Sequence, residues 1–162
     1  MNKFVHLHTH SHYSLLDGLA KIPDLVERAK ELGMYSLALT DHGVLYGAVE
    51  FYKNAKKAGV KPILGVETYV APHNRTSREP GERYFHLVLL VENNIGWKNL
   101  ITLVSKAHLE GFYYKPRVDK ELLRTHHEGL IALSACLSGE VNRALMQNNT
   151  EEAKKIALEY QD

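Results

Sequence analysis

Near its start the chain carries a histidine at every second position, namely at His6, His8, His10 and His12. In an extended strand, alternate side chains point to one face, so these imidazoles would project together while Val5 and Leu7 faced an apolar layer. Neutral imidazole is the commonest side-chain metal ligand. The stretch therefore predicts a chelating strand end. An accidental polar strand or a purification tag remains the alternative.

Apolar periodicity and turn residues predict the elements that would position these groups. Five strands are expected, over residues 3–8, 35–40, 63–70, 84–92 and 129–135. Helices are expected over residues 23–32, 46–58, 97–109, 119–125, 138–147 and from 150 onward. Alternating strands and helices with short connections favour an α/β fold with a parallel sheet. Residues 71–83, which contain two prolines and three arginines, predict a mobile surface loop, a candidate flap.

Composition sets limits on the class of protein. The 162 residues suffice for one domain, with 44% hydrophobic and 24% charged residues. The net charge of +1 gives no basic footprint of the kind that announces a nucleic-acid binder. The single cysteine, Cys136, excludes an internal disulfide and suits a reducing compartment. Without a long apolar run or a cationic leader, we expect a soluble, cytoplasmic protein with no membrane partner.

In parallel strand–helix folds, ligands gather where the strands end. This rule brings side chains from four predicted strands and one loop to a common rim: His8, His10, Asp17, Asp41, His42, Glu67 and Cys136. Imidazole, carboxylate and thiolate are zinc ligands, and carboxylates that bridge two ions suit a multinuclear site. The predicted chemistry is metal-assisted hydrolysis of a phosphoester.

Each of these assignments has a structural alternative. Glu67 could pair with a lysine such as Lys61, and Cys136 could be a buried core residue. Asp41 and His42 could form only a turn. His86 lies near the start of its predicted strand, where a hydrogen-bonded histidine is as good an explanation as a ligand. Four histidines are expected on solvated surfaces: His73, His108, His126 and His127.

A group of cations lies among aromatic residues and predicts a platform for the phosphates and bases of a single strand. The cations are Arg75, Arg78, Arg83, Lys115 and Arg117, and the aromatic residues are Tyr84, Phe112, Tyr113 and Tyr114. An ordinary loop surface with aromatic anchors is the alternative. No nucleophilic triad is indicated, because Cys136 has no identified base and no serine lies in an elbow motif.

Six blocks in order carry a resemblance to a known family: LHTHS at 7–11, SLLDG at 14–18, LTDHG at 39–43, GAVEFY at 47–52, KPILGVE at 61–67 and GLIALS at 129–134. Together they resemble the PHP (polymerase and histidinol phosphatase) domain that opens the alpha subunit of bacterial DNA polymerase III. The resemblance runs from residue 3 to the end of the chain.

The resemblance implies a distorted seven-stranded β/α barrel with a metal cluster at its rim, holding up to three divalent ions, zinc or manganese. It implies seven ligands: His8, His10, Asp17, His42, Glu67, His86 and Cys136. It leaves His6 and His12 as bystanders. Asp41 is the expected catalytic residue, which would orient a ligand from behind.

Family members take their last ligands, an aspartate and a histidine, from strands that would lie beyond residue 162. We therefore expect residues 1–162 to be an N-terminal PHP domain truncated at its C-terminal end, with about five of seven strands and no polymerase domains. A helical stripe that continues to Asp162 agrees with a longer natural polypeptide. Weak or partial metal binding and self-association through open strand edges are further expectations.

The function implied by the resemblance is that of a replicative DNA polymerase whose PHP domain is a metal-dependent 3′→5′ proofreading exonuclease. The expected partners are DNA, at the primer 3′ end or a single strand, and other replicase subunits. One alternative is a structural or subunit-binding module with a stabilising metal site. Another is a stand-alone phosphatase of the histidinol phosphate type, which the blocks around Asp17 and Phe51 disfavour.

Overall fold

One open, mixed sheet forms the centre of the computed structural model, which describes residues 4–161. Its strands are β1 Ser36–Leu39, β2 Lys61–Val70, β3 Phe85–Val91, β4 Arg117–Val118 and β5 Leu130–Leu133. The order is β1-β2-β3-β5, and β4 pairs with β2. The described residues confirm the α/β class. Four of the five predicted strands are present, and β4 was not predicted.

The predicted all-parallel arrangement is wrong. β1 and β4 run parallel to β2, but β3 runs antiparallel to both β2 and β5. A parallel pair needs a crossover connection, usually a helix, and the segment between β2 and β3 contains none. The chain therefore reverses there. As a result, the start of β3 lies at the same edge of the sheet as the end of β2.

All six predicted helices are present, with ends shifted by a few residues. They are α1 Ile22–Glu31, α2 Ala48–Ala58, α3 Asn94–Leu109, α4 Lys120–Thr125, α5 Glu140–Met146 and α6 Thr150–Glu159. The side chain of Asn93 accepts hydrogen bonds from two backbone amides and starts α3 earlier than predicted. Asp119 caps α4 as predicted, whereas Gly139 rather than Ser138 precedes α5. None of the described helices is long and apolar enough to cross a bilayer.

The predicted first strand, over residues 3–8, is not a strand in its described part. Two backbone hydrogen bonds join this stretch to β1, from Ala38 N to the His6 carbonyl at 2.9 Å and from Thr40 N to the Thr9 carbonyl at 2.8 Å. The first stretch spans one residue more than its partner between these bonds, which breaks the ladder as a bulge does. Leu7 is consequently exposed rather than packed in an apolar layer. The first residue of the prediction lies outside the described residues.

Two apolar clusters fix the helices on the sheet. The first joins α1 and α2 to β1 around Ile22 and Phe51, both fully buried. The second joins α3 to β2 and β3 around Val66, Leu100 and Leu103. Both clusters bury branched and aromatic side chains, whose removal from water is the main stabilising contribution. The edge of the sheet where β1 and β2 end and where β3 begins is instead lined by polar side chains.

Candidate metal centre

Glu67 is the residue on which the polar edge converges. It is only 1% exposed, although it is ionisable. Four imidazole nitrogens, from three places in the chain, surround its carboxylate. His8 Nε2, His10 Nε2 and His42 Nδ1 lie 3.0, 3.1 and 3.0 Å from Oε2, and His86 Nδ1 lies 2.9 Å from Oε1.

The strand pairing explains how His42 reaches Glu67. Beyond the end of β1 the pairing with β2 continues as a single bridge between these two residues. The Glu67 amide donates to the Asp41 carbonyl at 3.1 Å, and the Gly43 amide donates to the Glu67 carbonyl at 2.9 Å. The backbone therefore fixes the imidazole of His42 beside the carboxylate.

The antiparallel β3 explains why His86 belongs to the same edge. His86 stands opposite Tyr69 in the register between β2 and β3. Its position near the start of a strand, which argued against a role in the site, places it beside the end of β2. β5 is antiparallel to β3 and hence parallel to β2, so Cys136, just after β5, reaches this edge as well.

Two more predicted ligands extend the cluster outward. Asp17 is 63% exposed, and its Oδ2 lies 2.6 Å from His42 Nε2. The exposed Cys136 has its Sγ 3.7 Å from His86 Nδ1. The other six predicted ligands are thus joined, directly or through one histidine, to Glu67. His6 packs against Phe4 and His12 against Tyr13, as expected for residues outside the cluster.

The atoms around Glu67 fit a metal better than a set of hydrogen bonds. Among residues 4–161, five buried side-chain atoms lack a hydrogen-bond partner: His8 Nε2, His10 Nδ1, His12 Nδ1, His42 Nδ1 and Glu67 Oε2. Three of them, His8 Nε2, His42 Nδ1 and Glu67 Oε2, lie close together. Buried polar atoms without partners are costly, and a cation satisfies several lone pairs at once.

Two groups of three donors each have their ligand atoms within 4.8 Å of one another. They are His8, His10 and Glu67, and His42, Glu67 and His86. Glu67 belongs to both groups, as a carboxylate shared by two ions would. The residues present therefore fit divalent metal ions.

Proton affinities in the cluster partly favour this role. Burial by itself would raise the pKa of Glu67, but the imidazoles of His10, His8 and His86 beside the carboxylate hold that pKa well below its usual range. Burial lowers the pKa of His42 despite the nearby carboxylates. Burial would also lower the pKa of His10, but Glu67 raises it overall. Ionised Glu67 and neutral His42 are the ligating forms, whereas His10 would have to release a proton.

Asp41 lies behind the cluster and does not contact its rings. It is buried, and its Oδ1 accepts hydrogen bonds from Ser11 N at 2.6 Å and from Ser14 Oγ at 2.7 Å. Its Oδ2 accepts from Ser11 Oγ at 2.8 Å. Ser14 Oγ in turn accepts from the His42 amide at 3.1 Å. Asp41 thus holds the loop that connects His10 to Asp17, and any orientation of a ligand by Asp41 runs through that loop.

A model of the family described as the PHP domain matches residues 6–162. The chain belongs to the PHP domain family. Three relatives named DNA polymerase III subunit alpha are similar over nearly all of it: those of Borreliella burgdorferi (50% identical over 97% of the chain), Helicobacter pylori strain 26695 (50% over 98%) and Treponema pallidum (52% over 97%). The chain spans 14% of the length of each. A solved amidohydrolase structure from Chromobacterium violaceum has a TM-score of 0.48 and 27% identity, covering 65% of this chain and 33% of that one.

Two tyrosines form one wall of the centre in this PHP domain: Tyr69, which sequence reasoning did not assign, and Tyr84, which was assigned to the nucleic-acid platform instead. The ring of Tyr69 lies 5.9 Å from that of His42 and 5.2 Å from that of His86. Tyr84 stacks 5.9 Å from His86. Burial raises the pKa of Tyr69 to about 12, so its hydroxyl keeps its proton at neutral pH. The signal for Tyr69 was its place at the end of a strand next to a predicted ligand.

His108 was expected in solvent, and that expectation is wrong. It is half-buried, and its Nε2 lies 3.0 Å from the carbonyl oxygen of Gly43. The histidine thus ties α3 to the residue that follows His42. Its place on the inner edge of α3 follows from the helix packing and left no pattern in the sequence.

The five cations predicted to bind nucleic acid divide in the PHP domain. Arg117 is 1% exposed and pairs with Glu82 at 3.0 Å, and Arg75 pairs with Glu110 at 2.7 Å and with Asp119 at 3.0 Å. The positive charges of both arginines are therefore offset by carboxylates within the fold. Arg78, Arg83 and Lys115 are exposed. Arg117 also donates to the carbonyls of Arg75 and Ser77, so the loop over 71–83 is held in place where mobility was predicted.

Proposed function

We propose that this chain is the metal-dependent phosphoesterase part of a bacterial DNA polymerase III alpha subunit, and that it removes nucleotides from the 3′ end of DNA. The observation that carries the proposal is the convergence of four histidines on Glu67, with Asp17 and Cys136 joined to the cluster through His42 and His86. The similarity to alpha subunits over nearly the whole chain supports it. On this proposal the parent protein synthesises DNA in the cytoplasm with other replicase subunits.

The ligands we propose are those that the sequence indicated: His8, His10, Asp17, His42, Glu67, His86 and Cys136. Imidazole and thiolate suit zinc, whereas carboxylates also suit manganese, and up to three ions are proposed. When bound, such ions would supply Lewis acidity toward the oxygens of a phosphodiester.

The protein's own residues prepare the site for this chemistry. Glu67 stays ionised and balances the positive charge that the centre attracts. Asp41 fixes the loop that presents His10 and Asp17, and the rings of Tyr69 and Tyr84 hold His42 and His86 from one side and shield them from water.

The test measures bound metal and the release of nucleotides from a 3′-labelled single strand, after chelation and readdition of zinc or manganese. We expect Asp17→Asn to lower both by at least about tenfold, and Glu67→Gln to lower them further, because each change removes a charged ligand. Asp17 is largely exposed, so its variant should fold. Asp24→Asn, an exposed change on α1, is the matched control and should behave as wild type. Wild-type metal content and nuclease activity in both ligand variants would contradict the proposal.

A structural metal is the second candidate, because the cluster joins Glu67 to three other segments of the chain, those of His8 and His10, of His42 and of His86. An ion present at 100 times its dissociation constant would stabilise the fold by about 2.7 kcal/mol. For a chain of this size that corresponds to a rise in Tm of roughly 5–10 °C. A Glu67→Gln variant that loses this rise but keeps full nuclease activity would favour the structural role over the catalytic one.

A further inference from the structure

Three of the predicted cations, Arg78, Arg83 and Lys115, are exposed, and two of them, Arg78 and Lys115, lie over aromatic rings. Within residues 4–161, the guanidinium of Arg78 donates only to backbone carbonyls, those of Arg75, Ser77 and Glu110. Lys115 is exposed and has no carboxylate within ion-pair distance in the described part of the chain. A cation without an acidic partner keeps its attraction for a phosphate group.

An unusually exposed tyrosine lies next to Lys115. Tyr114 is 81% exposed, and its backbone is left-handed, with φ at +59°. The turn is closed by a hydrogen bond from the Tyr113 amide to the Lys115 carbonyl at 3.1 Å. A left-handed conformation is strained for a residue with a side chain, and such strain gathers at functional positions. The fold thus holds a large flat ring in water on a rigid turn.

This turn is one aromatic ring away from the metal centre. Lys115 Nζ lies 5.5 Å from the centre of the Tyr69 ring, and that ring borders both His42 and His86. On its outer side, Arg78 lies over the ring of Tyr113 at 5.9 Å. Moving outward from the centre, cations and aromatic rings alternate. We call Arg78, Tyr113, Tyr114 and Lys115 the connector track.

We propose that the connector track binds the single strand whose 3′ end enters the metal centre. Lys115 and Arg78 would contact successive phosphates, and Tyr114 would stack against a base. Stacking accepts any base, which suits an enzyme that must remove all four nucleotides, and it needs an unpaired base with a free face. This inference rests on the proposed function for its direction, but the binding itself can be measured without hydrolysis.

The test is the affinity for a short fluorescent oligothymidylate, measured by anisotropy with chelator present. For Lys115→Ala we expect the slope of log affinity against log salt to fall by about 0.7, the value for one phosphate contact on a single strand. For Tyr114→Ala we expect affinity to fall about tenfold. Tyr114→Phe keeps the stacking face and should bind with wild-type affinity.

The matched controls are Lys57→Ala and Tyr35→Ala. Lys57 is exposed in the last turn of α2, and Tyr35 is exposed just before β1, at the opposite edge of the sheet from the centre. Both controls should bind as wild type does. Affinities of the Lys115 and Tyr114 variants equal to these controls would overturn the proposal. So would a loss with Lys115→Ala alone together with equal binding of duplex DNA, which would indicate a general anion patch.

Hydrolysis of bis-p-nitrophenyl phosphate separates this inference from the proposed function, because that substrate has no strand to follow. We expect track variants to hydrolyse it normally while they bind oligothymidylate weakly. Normal hydrolysis with unchanged strand binding would overturn the track and leave the function standing. Absence of hydrolysis in the wild type, with strand binding that still depends on Tyr114 and Lys115, would overturn the proposed function and leave the connector track standing.

Discussion

The carboxylate of Asp41 accepts hydrogen bonds from two serines rather than from a proposed metal ligand. Three hydrogen bonds from Ser11 and Ser14 occupy its carboxylate, and the loop that they hold begins at one proposed ligand and ends at another. A positioning residue of this kind should affect how well the site is assembled. It should have little effect on the reaction once the site is filled.

We predict that Asp41→Asn weakens metal binding by about 10–100-fold, as the loss of a supporting contact does. The buried amide cannot accept all three hydrogen bonds, so the free energy of unfolding should fall by about 1.5–3 kcal/mol. The nuclease rate at saturating metal should stay near that of the wild type. A metal titration, a denaturation curve and a rate at high metal check the three parts. A large fall in that rate with unchanged metal affinity would instead mean that Asp41 acts directly on the substrate.

The candidate metal ligands were predictable from the sequence because side chains of metal-ligating types recur at the ends of the predicted strands. Glu67 is an example, as a carboxylate at the end of an apolar run. The contacts of Tyr69 and Tyr84 with the histidines were not predictable, because tyrosine in a strand is ordinary and only the register between β2 and β3 brings these rings to the histidines. The roles of Ser11 and Ser14 depend on a loop conformation that no periodicity specifies.

Apolar spacing predicted every described helix but not the direction of β3. The helices have repeating apolar faces and end signals, such as Asp119 before α4. Strand direction depends on the connection, and the loop over 71–83 was read as mobile. In the structure, Arg117 is buried beneath this loop, pairs with Glu82 and donates to the loop's backbone. β4, only two residues long, is too short to leave a pattern.

We predict that Arg117→Met releases this loop. The change leaves the carboxylate of Glu82 buried without its partner, and breaking a buried pair in this way costs about 3–5 kcal/mol. Trypsin should then cut faster after Arg78 and Arg83, which mass spectrometry of the fragments would show. Arg28→Met removes an exposed ion pair on α1 and should cost less than about 1 kcal/mol. Equal protease resistance of the two variants would show that the arginine does not hold the loop.

The sheet as a whole is open, and its two outer edges differ. The β1 edge is partly covered by residues 4–9 through two backbone hydrogen bonds. At the other end of the order, no described strand pairs with the outer side of β5, where Ile131 is 48% exposed. The closed barrel implied by the family resemblance is not formed by residues 4–161. An uncovered edge with apolar side chains favours pairing with another copy.

We predict that the purified chain self-associates through β5 and that Ile131→Lys shifts it toward the monomer, because a charged edge strand resists pairing. Sedimentation velocity over a range of concentrations would measure the shift. Ile101→Lys, a change at a similarly exposed isoleucine on α3, should leave the association unchanged. A wild-type chain that stays monomeric at high concentration would refute the prediction.

Cys136 gives the chain an intrinsic optical reporter. It is the single thiol, and its sulfur lies 3.7 Å from an imidazole nitrogen of His86. A cobalt(II) ion held at that corner would give a sulfur-to-cobalt absorption band in the near ultraviolet, and ions held elsewhere in the cluster would not. Titration with cobalt followed at that wavelength would therefore show, without any label, whether the corner at Cys136 fills before or after the rest of the cluster.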